Sequence, residues 1–356
     1  MNVLVSVNHP AHVHLFKNFI WEMEKKGHEV HIVARDKEVT KHLLNAYNFE
    51  YGIISKKIEN PLGVSIEAGI RILNLTLKTS KFHPEITLSI TDGTIGAFSR
   101  VLGVPSIQFT DTEHADLILK TSVPFADVIL TPMPFKRNLG KKQIRYNGYH
   151  ELAYLHPNYF KPDPSVLDEL GLSKGDTFIV LRVVSWTASH DVGQKGIRNR
   201  VNFVKELEKY GQVFISAEGK LERELEKYRV KIPPERMHDL LYYATLYVGE
   251  GGTTASEAAT LGTHSIHIST TAKYCGVFYD INRYGLLWIS EDERSSIELT
   301  KTLLGENDLW GRGKKKRKKL IKSKINLTPF MVWFIENYPN SLKEFKENPK
   351  IQYKFR

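Results

Sequence analysis

The sequence predicts an α/β protein with two Rossmann-like, doubly wound domains that face a central cleft. The chain of 356 residues is long enough for two domains, each with its own core. Short apolar runs alternate with helical patterns, as in a parallel sheet. Three prolines interrupt this alternation at His156–Pro164, which predicts an interdomain linker. A strand, a Gly-rich turn, a helix and another strand follow one another at Tyr247–Ile268.

The first half of the chain begins with the pattern of a strand, a helix and a second strand. The strand at Asn2–Val7 is followed by helical periodicity at Val13–Lys26, which Gly27 ends. A strand follows at Glu29–Ala34, and a long polar and helical region then leads to the next strand. The later elements are expected at Glu85–Ile90 (strand), Thr94–Leu102 (helix), Ser106–Phe109 (strand), Asp127–Leu130 (strand) and Gln143–Tyr146 (strand).

The second half repeats the alternation beyond the proline-rich linker. Its expected strands are Thr177–Val184, Gln212–Ser216, Thr245–Gly249 and the strand ending at Ile268, and its expected helices are Gly196–Tyr210, Leu221–Tyr228, Met237–Tyr243 and the helix after the Gly-rich turn. A final helical stretch covers Thr328–Lys346, with Pro329 in its first turn. Ligands of open parallel sheets bind at the carboxyl ends of the strands, so the loops there are where we expect chemistry.

The composition is that of a soluble globular protein, with 41% hydrophobic and 25% charged residues. The single cysteine, Cys275, excludes a disulfide framework and a cysteine-based metal site and is compatible with a reducing cytoplasm. Met1–Pro10 has no basic leader, and no window reaches the roughly 18 apolar residues of a membrane span. We therefore expect a cytoplasmic protein.

The formal net charge of +10 is concentrated in one segment. Nine Lys or Arg and no acidic residue lie between Arg312 and Lys324, which leaves about +1 for the remainder. This distribution does not support the basic field of a nucleic-acid-binding protein. The aromatic stretch Pro329–Ile335 follows. Residues 312–335 are therefore expected either to hold the protein on an anionic membrane surface at the inner face, or to form a solvated helix face followed by a core helix.

The Gly-rich turn predicts a phosphate site. At Glu250-Gly251-Gly252-Thr253 the backbone can come close to a ligand, and the helix that follows directs free N–H groups and its positive dipole end at it. Glu257 lies one turn into that helix, where it can accept hydrogen bonds from ribose hydroxyls. Together these groups suit a nucleotide diphosphate-sugar. The alternative is a capping box, in which Thr254 and Glu257 merely satisfy the helix start.

Titratable side chains follow three strands of the first half. Asn8–His14 holds three histidines, of which His12 and His14 cannot share one side of the helix; either is a candidate general base. No carboxylate accompanies these histidines in the sequence, so we expect no metal site. Asp92 is either a catalytic carboxylate or a helix N-cap. Thr110–Ala115 carries two carboxylates and a histidine. This density of titratable side chains favours a functional role over helix capping, and Glu113 is the candidate catalytic residue of the segment.

The second half offers further ligand-binding candidates. Arg182 and the segment Ser185–Asp191, which includes His190, follow a buried strand and can grip a diphosphate or a sugar. Glu218 follows the next strand, where it can approach a nucleotide base or cap a helix.

Several spaced motifs resemble a known family. The two-domain plan and Gly251–Gly262 resemble the GT-B superfamily, which holds MurG-type glycosyltransferases and the non-hydrolysing UDP-N-acetylglucosamine 2-epimerases. Four further segments look like the DUF354 family, found mostly in archaea: Asn8–Lys17, Phe109–His114, Asn147–Pro157 and Ser185–Asp191. The resemblance implies domains at 1–160 and 161–324, with the C-terminal helix 325–356 crossing back onto the first. It also implies that Glu257 holds the ribose and that Gly251, Gly252, Thr253 and Thr254 hold the diphosphate.

Two activities compete within that superfamily. A MurG-like transferase places a first-loop histidine at the reacting centre, which His12 or His14 matches, although the usual Gly-rich first loop is absent. An epimerase uses acidic residues and a histidine, which Asp92, Glu113 and His190 match, although its Gly-Thr-Arg-Pro-Glu loop is missing. We expect a glycosyltransferase of surface glycan or glycoconjugate synthesis that uses a UDP-linked sugar and an acceptor, without a cofactor. The alternatives are an epimerase and a non-catalytic nucleotide-sugar-binding protein.

Overall fold

The structure is a computed structural model that describes residues 1–56, 61–79, 81–184, 196–217 and 219–356, without the side chains of 61–65 and 68. The chain divides into two compact units. Unit 1 comprises Met1–Tyr159 and Lys324–Arg356, and unit 2 comprises Phe160–Ser323. No helix within the described ranges is both long enough and apolar enough to cross a membrane.

Unit 1 is built on a seven-stranded parallel sheet of order β3-β2-β1-β4-β5-β6-β7. Its elements up to the linker are β1 (Asn2–Val7), α1 (Pro10–Lys25), β2 (Glu29–Asp36), α2 (Glu38–Ala46), β3 (Tyr51–Lys56), α3 (Pro61–Thr79), β4 (Ile86–Ile90), α4 (Gly93–Leu102), β5 (Ser106–Phe109), α5 (Asp116–Ser122), β6 (Val128–Pro132) and β7 (Gln143–Tyr146). The strand order reverses between β1 and β4. Right-handed crossovers therefore place α1 and α2 on one face of the sheet and α3, α4 and α5 side by side on the other.

Unit 2 is built on a five-stranded parallel sheet of order β12-β11-β10-β8-β9. Its elements are α6 (Ser165–Asp168), β8 (Phe178–Val183), α7 (Arg200–Glu208), β9 (Gln212–Ala217), α8 (Met237–Tyr243), β10 (Leu246–Gly249), α9 (Gly252–Thr260), β11 (His264–Ile268), α10 (Gly276–Asn282), β12 (Leu287–Ser290), α11 (Glu293–Leu304) and α12 (Leu309–Ser323). The chain then returns to unit 1 as α13 (Leu327–Glu336) and α14 (Asn340–Glu347). The topological switch point of the unit 2 sheet lies between β8 and β10. Ligands of open parallel sheets bind at such points.

Two helical predictions are wrong in detail. Leu221–Tyr228 forms no α-helix; only a 3₁₀ turn at Glu226–Tyr228 is present, and Arg229 bridges to Ile215 of β9. The chain pairs with the sheet at Arg229 instead of completing a helix. The final stretch is two helices rather than one, because Pro339 has no N–H to continue α13 and precedes α14 instead.

The basic run forms part of α12, and several of its cations point into unit 2. Lys314 donates to the carbonyl oxygens of Tyr242 (2.7 Å) and Leu261 (3.0 Å), at the carboxyl ends of α8 and α9. Arg317 donates to the Thr260 carbonyl oxygen at 3.1 Å. These cations oppose the negative end of the α9 dipole. Burial holds the pKa of Lys314 well below its usual value.

The aromatic half of segment 312–335 is not at a surface. Phe330, Met331, Phe334 and Ile335 of α13 are almost fully buried in the core of unit 1. The core-helix alternative therefore describes α13. The apolar residues that the membrane hypothesis assigned to the bilayer are buried in unit 1 instead. Only basic side chains of the run, Lys315, Lys318 and Lys319 among them, remain exposed.

Candidate active site

Polar side chains converge where β1 and β4 end, at the switch point of unit 1. Asp92 is the N-cap of α4, since its Oδ1 accepts from the N–H groups of Thr94 (3.0 Å) and Ile95 (3.3 Å). Its Oδ2 accepts from Asn8 Nδ2 (2.7 Å) and from Arg71 Nη2 of α3 (2.5 Å). The N-cap alternative is therefore confirmed, and the same carboxylate also belongs to a buried ion pair.

The ion pair keeps Asp92 charged. Burial alone would raise the pKa of Asp92, but the Arg71 guanidinium and the hydrogen bond from Asn8 outweigh burial, so this pKa lies below its ordinary value. The carboxylate is thus an anion at neutral pH. Because its lone pairs already accept several hydrogen bonds, it is better suited to orient neighbours than to take up a proton.

His12 lies beside this carboxylate as a neutral ring. Burial, the largest influence, lowers the pKa of His12 to about 4, against the opposing charge of Asp92. The backbone N–H of Asn8 donates to His12 Nδ1 at 3.3 Å. With Nδ1 accepting, the neutral ring carries its proton on Nε2. At Nε2 the neutral ring of His12 can therefore donate a hydrogen bond, and its predicted role as general base stays a prediction.

A second acid–base pair was not predicted from the sequence. His150, in a 3₁₀ turn after β7, lies with Nδ1 3.0 Å from Oδ2 of Asp111, which follows β5. Burial alone would lower the pKa of His150, but the Asp111 carboxylate outweighs it and the pKa lies above its ordinary value. His150 Nε2 is buried and has no hydrogen-bond partner among the described residues. His150 lies inside Asn147–Pro157, one of the segments that resemble the DUF354 family, and this resemblance is the feature of the sequence that could have identified it.

The structure places Glu113 and His14 in different surroundings from this pair. The buried Glu113 accepts at Oε1 from the backbone N–H of Lys136 (3.1 Å), and its carbonyl oxygen accepts from Arg137 (2.8 Å), so it ties the β5 loop to the loop after β6. His14 is buried on α1, where its ring stacks on Tyr154 with centroids 5.4 Å apart. The catalytic roles predicted for Glu113 and His14 stay predictions.

The Gly-rich turn of unit 2 lies at the switch point between β8 and β10. α9 starts at Gly252 with Gly251 as its N-cap, so within the described residues no side chain caps this helix. Thr253 is exposed, and the turn from Ala255 onward is buried. Thr254 is the third residue of the helix, not its cap, so the capping-box alternative is wrong.

Glu257 has a different partner from the one that a capping box requires. Its Oε1 lies 3.1 Å from Nε2 of His238 on α8, and both side chains are almost fully buried. His238 is in turn placed edge-to-face against Phe160, with ring centroids 6.3 Å apart. This contact holds the carboxylate in one orientation.

Other residues of unit 2 support the turn. Arg182 at the end of β8 donates to Ser216 Oγ of β9 at 2.7 Å, and its stem packs beneath Gly249 and Gly251. Glu250 accepts at its two oxygens from the N–H groups of Val184 (3.0 Å) and Ile197 (2.7 Å). Arg182 thus links β8 to β9, and Glu250 holds two backbone segments near the switch point. Ser185, His190 and Glu218, also predicted site residues, lie outside the described residues.

The packing under the turn gives a stability prediction. A Cβ at Gly249 would lie 2.5 Å from the Arg182 carbonyl oxygen, whereas a Cβ at Gly251 would meet the flexible Arg182 side chain at 3.0 Å. We expect Gly249→Ala to lower the free energy of unfolding by roughly 1–3 kcal/mol, because backbone must move. Gly251→Ala, the matched control, should cost less in urea denaturation. Equal effects would contradict this account of β8–β10 packing.

Comparison with known proteins assigns the family. The model of the family described as "Protein of unknown function (DUF354)" matches residues 1–330. The chain belongs to the DUF354 family. An uncharacterized protein of Methanocaldococcus jannaschii is 27% identical to this chain over 297 residues, covering 80% of this chain and 85% of the relative.

Solved structures show which fold this DUF354 protein shares. The complex of S. aureus MnaA with UDP superposes with a TM-score of 0.68 at 11% identity, covering 96% of this chain and 97% of that one. A UDP-GlcNAc 2-epimerase from Neisseria meningitidis bound to UDP-GlcNAc superposes with a TM-score of 0.64 at 12% identity, covering 90% of this chain and 99% of that one. The Streptomyces sp. SF2575 glycosyltransferase SsfS6 with thymidine diphosphate superposes with a TM-score of 0.60 at 14% identity, covering 93% of this chain and 99% of that one. The predicted GT-B fold class is thereby confirmed.

Proposed function

We propose that this DUF354 protein is a glycosyltransferase that takes its sugar from a nucleotide diphosphate, with UDP as the leaving group. The observation that carries the proposal is the uncapped start of α9 at the switch point of unit 2, with a fixed carboxylate one turn further along. The proposed product is a surface glycan or another glycoconjugate. The fold relatives include proteins solved with UDP, UDP-GlcNAc and thymidine diphosphate, which supports a nucleotide ligand.

Unit 2 supplies the donor site in this proposal. The first N–H groups of α9, at Gly252, Thr253 and Thr254, have no intrahelical acceptor and suit the oxygens of a diphosphate. Glu257, oriented by His238, accepts the ribose hydroxyls. As the sugar–phosphate bond breaks, negative charge grows on the diphosphate, and the positive end of the helix dipole stabilises it.

Unit 1 supplies the proton acceptor. His150 is oriented through Nδ1 by Asp111, so the deprotonated ring presents the Nε2 lone pair, as in other histidine–carboxylate pairs. The acceptor oxygen forms a bond to the anomeric carbon, the bond from that carbon to the diphosphate oxygen breaks, and the acceptor's proton passes to His150. His12 donates from Nε2 to a substrate oxygen. Asp92 and Arg71 hydrogen-bond to Asn8, which precedes the helix that carries His12. No step requires a metal or a further cofactor.

The donor site is tested by substitution of Glu257. We expect Glu257→Ala to weaken UDP binding by about tenfold to a hundredfold, the effect of losing hydrogen bonds to a charged group. Glu224→Ala, at an exposed position of the same unit, is the matched control for charge. Calorimetric titration with UDP, GDP and dTDP measures the effect, and transfer assays with the corresponding sugars test the reaction. Absence of binding by all three nucleotides would refute the proposal.

Epimerisation at C2 of a UDP-sugar is the second candidate. It is favoured by one observation: His12 lies near the His150–Asp111 pair in unit 1, and two acid–base side chains can remove a proton and return one. Epimerisation in D₂O incorporates deuterium at C2, whereas glycosyl transfer does not. NMR of the recovered sugar therefore distinguishes the two reactions.

A further inference from the structure

The outer helical layer of unit 1 exposes an unusual amount of apolar surface. Fifteen large hydrophobic side chains are exposed among the described residues, and nine of them lie between positions 66 and 125, the region of α3, α4 and α5. On α3 the exposed Ile66, Ile70 and Leu73 (60%, 43% and 60%) recur at helical spacing. We define this layer, α3 to α5 with its exposed side chains, as the apolar helix layer.

α3 differs from an ordinary surface helix in the charges that it buries. Besides the core residue Leu75, its inward side carries Glu67, which pairs with Arg35, and Arg71, which pairs with Asp92. Its outward stripe is aliphatic. A surface helix normally buries its apolar stripe and hydrates its charges, and exposed apolar patches of this kind mark interaction surfaces. α4 and α5 extend the layer with Val101 and Leu117, exposed by 83% and 70%.

The exposed charges in the layer are mainly positive. Lys78, Lys81, Arg100 and Lys120 are exposed within or next to the three helices. Within the described residues, two acidic side chains are exposed on the same terms: Asp116 of α5, which is paired with Arg137, and Glu85, which lies between α3 and α4. Aliphatic side chains bordered by long cations complement a bilayer with anionic headgroups, in which each cation near the surface contributes about 1 kcal/mol.

A protein partner fits the layer less well. Protein interfaces are enriched in aromatic residues and depleted of lysine, whereas this layer is rich in Ile, Leu and Val and contains three exposed lysines, Lys78, Lys81 and Lys120. A symmetric dimer formed through the layer would also bring each of its cations toward the same cations of a second copy. The charge pattern thus disfavours self-association.

We propose that the apolar helix layer docks unit 1 onto the surface of an anionic phospholipid bilayer. The layer replaces segment 312–335 as the membrane-contacting surface. Because Arg71 lies on the inward side of the same helix, docking brings the His12–Asp92 cluster within about one helix diameter, roughly 10 Å, of the lipid headgroups. The proposal does not depend on the glycosyl-transfer chemistry, since vesicle binding and nucleotide binding are separate measurements.

Co-sedimentation with vesicles tests the proposal. The full chain should bind vesicles of equimolar phosphatidylglycerol and phosphatidylcholine, bind pure phosphatidylcholine more weakly, and dissociate as salt rises. Leu73→Glu should weaken binding by at least about tenfold, because it places a charge where the bilayer would otherwise bury an aliphatic side chain. Val39→Glu on the exposed side of α2 is the matched control and should bind like the unchanged protein. Circular dichroism verifies that both variants are folded.

Three outcomes would overturn the proposal. The first is no binding of the full chain to either vesicle. The second is binding that survives Leu73→Glu but is lost in the double variant Lys318→Glu and Lys319→Glu, which would assign the contact to α12. The third is a dimer by light scattering that Leu73→Glu dissociates, without vesicle binding, which would make the layer an interface between copies.

Discussion

Replacement of His150 by glutamine is expected to lower the turnover number by about a hundredfold or more, the usual contribution of a general base, while UDP binding is unchanged. The reason is the pair with Asp111. It raises the pKa of His150 above the ordinary 6.5 and leaves Nε2 to receive a proton. In the unchanged enzyme kcat/KM should rise with pH through this raised pKa, because only the neutral ring accepts a proton.

His12→Gln is the control for this assignment. Glutamine keeps a side-chain N–H donor, which is the role that the Asn8 N–H···Nδ1 contact gives to His12. This variant should retain most of the turnover and the same pH profile. The assignment fails if His12→Gln is as inactive as His150→Gln, or if the rise of kcat/KM with pH persists in His150→Gln.

Replacement of Arg71 by methionine is expected to have the largest effect on stability. It leaves the Asp92 carboxylate buried without its guanidinium, a change that costs about 3–5 kcal/mol for buried ion pairs. The double variant Arg71→Met with Asp92→Asn should recover much of the loss, because no unpaired charge then remains. Urea denaturation of the two single variants and the double variant measures the coupling.

The same pair predicts a dependence of stability on pH. The pKa of Asp92 is lower in the folded state than in the unfolded chain. Its contribution to stability is therefore complete above the unfolded value of about 3.9 and is lost as pH falls through the folded value. The difference in unfolding free energy between the unchanged protein and Asp92→Asn should shrink below about pH 4. A constant difference down to pH 2 would contradict this.

The fold was largely readable from the sequence because the central strands of both sheets are continuous apolar runs. β1, β8 and β10 are buried on both faces and give that signal. The missed strands, β3 and β12, are both at sheet edges, where one neighbour is absent and the pattern is weaker. The predicted helix at Leu221–Tyr228 is wrong because the sequence of this segment does not show the contact of Arg229 with β9.

The candidate site was only partly predictable. Strand ends identified Asp92 and the Gly-rich turn, because parallel strands bring their carboxyl ends to one edge. The partners were not predictable, since Arg71 reaches Asp92 from the middle of α3 and His150 reaches Asp111 from beyond β7. Spacing along the chain also could not show which carboxylate of Thr110–Ala115 meets a histidine. In the structure Asp111 does, and Glu113 ties two loops together instead.

The central claim is that the amino end of α9 receives the diphosphate of a nucleotide-sugar. Backbone amide NMR during titration with UDP tests this most directly, with uridine as the ligand that lacks phosphates. We predict that UDP shifts the amide resonances of Gly252, Thr253 and Thr254 more than uridine does, because their N–H groups bind the phosphate oxygens. UDP binding that leaves these three resonances unmoved while shifting others would contradict the claim.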